Sequence, residues 1–177
     1  VTQDHVVRPD GVRVPLDPLQ PLLTLGRLVV EDLCLMQKQG DAHVLTGAIL
    51  CFPAQWTLAE KIGHPMVRIH KPVDDYDDGV AKRVQRIFDN LRVGQALWRG
   101  NLNPAQKADL FCPRRECDFE NDLDVRASNA APFLRSERQS LIRLPETDAI
   151  VFTIHTSMLR ADRDSGRAQV GRGLDVK

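Results

Sequence analysis

The stretch RLVVEDLCLMQKQGDAHVLTGAILCFP, from Arg27 to Pro53, constrains the fold more than any other part of the chain. Two apolar runs flank Gln39-Gly40-Asp41. Turn-forming residues between two such runs mark a β-hairpin, with strands expected near residues 28–37 and 43–52. Glu31 and Asp32 interrupt the first strand. They face solvent or sit at a bulge; buried, they need partners. A second extended pattern, LRSERQSLIRLP followed by AIVFTIHTSML, folds back at Pro145-Glu146-Thr147-Asp148. Its last strand is apolar enough to be central in a sheet. Between the hairpins, Val80, Val84, Ile87, Phe88 and Leu91 recur at helical spacing and predict an amphipathic helix over residues 79–91. Asp74, Asp75, Asp77 and Asp78 precede it, where carboxylates suit the positive end of the helix dipole. A short helix is expected over Trp56–Gly63, with Thr57 and Glu60 as a capping box. PMVRIHKPV reads as extended, because Pro72 biases Lys71 away from helix.

Hairpin, helices, hairpin is the order of an α+β domain; a PAS-like antiparallel sheet with helices on one face has that order, as do other α+β folds. Three segments are expected. Residues 1–27 form a proline-rich arm, in which Pro9, Pro15, Pro18 and Pro21 exclude a regular helix. Residues 28–160 form the domain, with residues 95–130 irregular. Residues 161–177 form a charged tail expected to be disordered.

The 24 basic and 24 acidic residues balance, so there is no basic surplus for nucleic acid. No apolar run approaches the roughly 18–20 residues that span a bilayer, and no signal-peptide pattern opens the chain. The chain begins at Val1 rather than Met, as a fragment or a processed chain would. Cys34 and Cys51 lie in apolar runs and read as core residues. Cys112 and Cys117 form one Cys-x4-Cys pair with no second pair to complete a zinc site. With no disulfide framework, the cytoplasm is the default compartment. Dinucleotide, P-loop and zinc-protease motifs are missing, and Ser136 and Ser140 lack a nucleophile elbow.

Six strings occur in one order between Leu28 and Ser157: VEDLCLM, the aliphatic run into FPAQW, EKIGHPM, IHKPV, RSERQSLIRLP and AIVFTIHT. Together they resemble the haem-dependent oxidative N-demethylase family. The resemblance implies a PAS-like domain binding haem b. It also implies O2-dependent oxidation of a small methylated amine such as dimethylamine, releasing formaldehyde. Electrons would come from NADPH through a partner reductase, subunit or domain, that carries FMN and an iron–sulfur centre. WRGNLN, residues 98–103, departs from the family's Arg-x-Asn-Trp pattern. A haem-binding PAS sensor and a degenerate interaction domain are the alternative readings.

Haem iron takes an imidazole, thiolate, Met or Tyr as axial ligand. Of the five histidines, His5 lies in the arm, His43 is expected to be exposed at a turn, and His155 reads as a strand histidine. The resemblance favours His70 of IHKPV as the iron ligand, with His64 as the alternative. By residue type alone His70 reads as structural. Cys112-Pro113 is a weaker candidate. For the distal side, Glu137 and Gln139 share one face of a strand with Leu141, and either could orient an amine or pass protons. The bland reading of Glu137 is an ion pair with Arg135, Arg138 or Arg143. Lys61, Arg68, Arg135, Arg138 and Arg143 are the cations available to haem propionates.

Overall fold

The computed structural model describes residues 4–71, 76–119 and 131–161. The acidic pair Asp74 and Asp75, all of 120–130 and the tail beyond 161 lie outside the described residues.

The proline-rich lead-in is more regular than its composition predicts. Strands β1 (His5–Val7) and β2 (Arg13–Pro15) pair antiparallel, and helix α1 runs Pro21–Leu28. Pro21 is tolerated because it stands at the helix start, where its missing N–H has no intrahelical partner to lose. The exclusion of helix from this region therefore fails at its last proline.

The first hairpin is β3 (Glu31–Gln39) and β4 (Ala42–Ile49), turning at Gly40 with φ of 61°. A positive φ suits Gly there, since it has no Cβ to clash. A one-residue register shift at Leu35/Met36 marks a bulge. A 3-10 turn at Leu58–Glu60 replaces the expected short helix. Thr57 Oγ1 spends its hydrogen bond on Glu60 Oε2 at 2.5 Å, and no side chain caps the turn. Helix α2 (Met66–Ile69) lies within PMVRIHKPV and corrects the extended reading for those four residues; Pro72 and Val73 lie outside the described residues. One helical turn is too short to show periodicity. Helix α3 (Asp78–Asn90) is capped by Asp77, whose carboxylate accepts from Val80 N at 2.6 Å.

Strand β5 (Leu97–Ala105) lies in the stretch expected to be irregular. It is followed by the short helix α4 (Glu116–Phe119) and the second hairpin, β6 (Phe133–Arg143) and β7 (Ile150–Arg160). One antiparallel five-stranded sheet results, in the order β4-β3-β7-β6-β5, with β7 central as its apolar sequence predicts.

Cys34, Met36, Leu45, Phe88, Leu91 and Ile150 form the core, with Trp56, Leu58, Met66, Ile69 and Val84 packed against it. Each large apolar side chain buried here contributes about 1.5–3 kcal/mol. The segments between β4 and β5 thus cover one face of the sheet. Helix α1 lies on the other, where Gly26 approaches Ile49 and Gly47 approaches Leu22. The expectation of helices on one face holds for the inserted elements and not for α1. Among the described residues no helix is long and apolar enough to cross a membrane.

Candidate functional site

His70 ends α2 as its C-cap residue. Its Nδ1 lies 3.0 Å from Met66 O. A carbonyl only accepts, so Nδ1 carries the proton and the Nε2 lone pair is left available to a metal. The ring stacks on Tyr76, with centroids 4.4 Å apart and planes 16° from parallel. Burial holds its pKa below the usual histidine value, opposed by the Met66 carbonyl and helped by the charges of Lys61 and Arg99. The side chain is therefore a neutral, oriented imidazole.

Arg99, whose charge acts on His70, pairs with Gln139 on the helix-covered face of β6. Period-2 alternation puts Arg135, Glu137 and Gln139 on that face, and all three are buried. Glu137 Oε1 accepts from Arg135 Nε at 3.0 Å, and Oε2 accepts from Gln139 Nε2 at 2.9 Å. On the edge strand, Asn101 stands opposite Glu137 and Arg99 opposite Gln139. Asn101 Nδ2 reaches Glu137 Oε2 at 3.5 Å, and Arg99 Nε donates to Gln139 Oε1 at 2.7 Å. The ion pair of Arg135 with Glu137 coexists with the polar face and does not replace it.

The remaining cations are engaged elsewhere. Lys61 Nζ donates to Ile69 O at 2.5 Å and Glu116 Oε1 at 3.1 Å, and Arg68 Nη1 bonds the same Glu116 oxygen at 3.0 Å. This triad anchors the end of α2 that carries His70. The Arg68 bond, with Lys61 helping, holds the Glu116 carboxyl below its ordinary range. Arg138 points to the opposite face and pairs with Glu31 at 2.9 Å. Arg143 caps α3, bonding Leu91 O at 2.5 Å and also Phe88 O.

Among the other histidines, His64 is exposed and His155 lies opposite Arg138, on the far face. His43, expected at the surface, is 1% exposed. It is covered by α3, meeting Phe88 edge-on at 5.1 Å and Gln85 Nε2 at 2.9 Å. Cys112 Sγ donates to Asp109 O at 3.2 Å. Among the described residues no group of three or more His, Cys, Asp or Glu gathers to hold a bare metal ion. Two cavities, of about 370 and 300 Å³, are lined in part by Met66, Tyr76 and Gln85 and by Trp56, Leu58 and Phe111. Neither is lined by His70, Glu137 or Gln139. The constellation is therefore defined by its bonded geometry.

A protein-family model described as haem-dependent oxidative N-demethylase, alpha subunit-like, matches residues 2–173. The chain belongs to that family. Its description carries haem dependence and N-demethylation, and "alpha subunit-like" points to a partner subunit. Haem brings four nitrogen ligands of its own and asks the protein for an axial side chain. In this N-demethylase-family chain, the neutral imidazole of His70 with its proton fixed on Nδ1 fits that requirement.

Sequence reasoning missed Arg99 and Asn101. WRGNLN looks altered as a string, yet Arg99 and Asn101 project together onto the polar face, and Leu102 projects to the other. LWRGNLNPA carries no clean alternation of polar and apolar residues, as an edge strand largely open to solvent need not, so the sequence offers no strand signal there.

Proposed function

We propose that the chain is the haem-binding subunit of an oxidative N-demethylase acting on a small methylated amine such as dimethylamine. The sheet and the elements inserted between β4 and β5 form a PAS-like domain. Five antiparallel strands in the order β4-β3-β7-β6-β5, with helices packed over one face, support that reading. The observation that carries the proposal is the oriented His70 imidazole within a family-wide match, with Arg99 of the Glu137–Gln139 face near enough for its charge to act on the ring.

His70 would hold the haem iron through Nε2 in this reading, and the Met66 carbonyl keeps its ring in the tautomer that leaves Nε2 free of a proton. Haem b, when bound, supplies the activation of O2 with two electrons, so that one oxygen atom enters a methyl C–H bond and the other leaves as water. The electrons come from NADPH through a flavin and iron–sulfur partner. The product carbinolamine then divides: its C–N bond breaks, the hydroxyl proton moves to nitrogen, and formaldehyde leaves.

The protein's own contribution lies in Glu137 and Gln139. A buried carboxylate attracts and orients an ammonium group, and can accept or return a proton at Oε2. Arg135 holds Oε1 with its charge, whereas Oε2 accepts from the neutral amides of Gln139 and Asn101, so Oε2 is the oxygen whose partners an ammonium group would displace more easily. Gln139 keeps its amide nitrogen turned toward Glu137 because Arg99 occupies its carbonyl.

Haem reconstitution followed by absorption tests the reading. Wild-type chain is expected to show a histidine-ligated Soret spectrum, lost in His70→Ala. With dimethylamine, O2 and a reductant, formaldehyde is expected to accumulate, and Glu137→Gln is expected to slow it roughly 100-fold, within the range for losing an acid–base group. No Soret band above free haem ends the proposal.

A further inference from the structure

We infer that the Arg99 guanidinium clamps a carboxylate of the cofactor, a haem propionate, and that this edge-strand residue rather than the five other cations supplies the anion site. The inference rests on the haem reading above.

Each of those five cations already has acceptors. Lys61 and Arg68 converge on Glu116. Arg135 reaches Glu137, Leu110 O, Phe52 O and Thr156 Oγ1. Arg138 pairs with Glu31 across the far face, and Arg143 closes the end of α3. A guanidinium satisfied by internal acceptors has little left to offer a ligand.

Arg99 differs in its partner: Arg68 and Arg138 each pair with a carboxylate, whereas among the described residues Arg99 bonds a neutral amide, its Nε donating to Gln139 Oε1 at 2.7 Å. That bond holds the plane of the group while leaving both Nη atoms without partners among the described residues. The fork is therefore oriented by one end and open at the other, the arrangement that binds a carboxylate in two-pronged fashion. It stands on the same face as Glu137 and Asn101, and its charge reaches His70. One side chain thus connects the two parts of the site, setting the Gln139 amide and facing the cofactor's periphery.

The test is a Soret titration of apo-chain with haemin and, separately, with haemin dimethyl ester, whose propionates carry no charge. Arg99→Ala is expected to weaken haemin binding by roughly tenfold to a hundredfold, the worth of charge-assisted hydrogen bonds. It is expected to leave ester binding equal to that of wild type. Arg138→Ala, altered on the far face, is expected to bind both as wild type does. An equal loss with haemin and ester assigns Arg99 to positioning Gln139 alone and overturns the clamp. Unchanged haemin binding overturns it as well. Wild-type chain that binds neither compound sinks the haem reading itself, an outcome distinct from both.

Discussion

A buried guanidinium must find acceptors for the N–H groups it brings in, and Arg135 finds them on four separate segments. Phe52 O at 2.6 Å and Leu110 O at 3.1 Å come from two loops, and Thr156 and Glu137 come from the sheet. Beside it, Asp32 accepts from Cys51 N at 2.6 Å and Phe52 N at 2.9 Å. Burial nonetheless raises the Asp32 pKa, these two amides opposing it. The requirement that a buried Asp32 have partners is met by backbone at Oδ1, while Oδ2 is buried without a hydrogen-bond partner. Arg135→Ala leaves Glu137 a buried carboxylate without its cation. Such a broken pair costs about 3–5 kcal/mol, measurable by urea denaturation. Replacing both partners together, Arg135→Met with Glu137→Leu, is expected to recover most of that loss, because no lone charge remains. A single variant as stable as wild type would show the pair to be incidental. The sequence marks Glu137 and Gln139 as sharing a face, but does not show which arginine pairs with Glu137 and which cation stays open.

Among the elements, α3 and both hairpins are legible because each shows a full period of its own pattern. Helix α3 repeats its apolar positions over three turns and begins at a capping Asp77. Helix α2 and strand β5 are not legible. The first is a single turn, and the second is an edge strand with one neighbour and mostly exposed residues. Helix α1 was masked by prolines whose position matters more than their number. Its seat on the sheet depends on Gly26, where an added Cβ would lie 2.6 Å from Ile49 Cγ1. Gly26→Val is therefore expected to push α1 off β4 and cost about 1–3 kcal/mol, read as a lower Tm by circular dichroism. An unchanged Tm would mean that α1 contributes nothing to the stability of the sheet.

For the whole molecule, acid stability reports how the face under α3 is packed. His43 is enclosed, and burial lowers its pKa below 6.5, opposed by Gln85 and Asp89 and assisted by Arg143 and Lys38. Its folded pKa is depressed, so the unfolded chain binds the proton more readily. The stability His43 contributes is present above pH 6.5 and is lost as pH falls through its folded pKa. Asp32 acts in the other sense, since its folded pKa is raised. Urea midpoints are expected to drop between pH 7.5 and pH 5, and to drop less in His43→Met, which has no titrating group there. An equal drop in both would place the acid sensitivity elsewhere.

The sequence by itself determined the α+β class, the two hairpins, the central strand and the family, because these depend on patterns local to a run of residues or on ordered strings. Only the tertiary structure decided that His70 ends a helical turn with its proton on Nδ1, that His43 is enclosed, and that Arg99 and Asn101 join Glu137 and Gln139. The last of these is an outcome of pairing between segments 36 to 40 positions apart, Asn101 with Glu137 and Arg99 with Gln139. Strand register sets which side chains meet, and register is a property of two strands together, not of either alone.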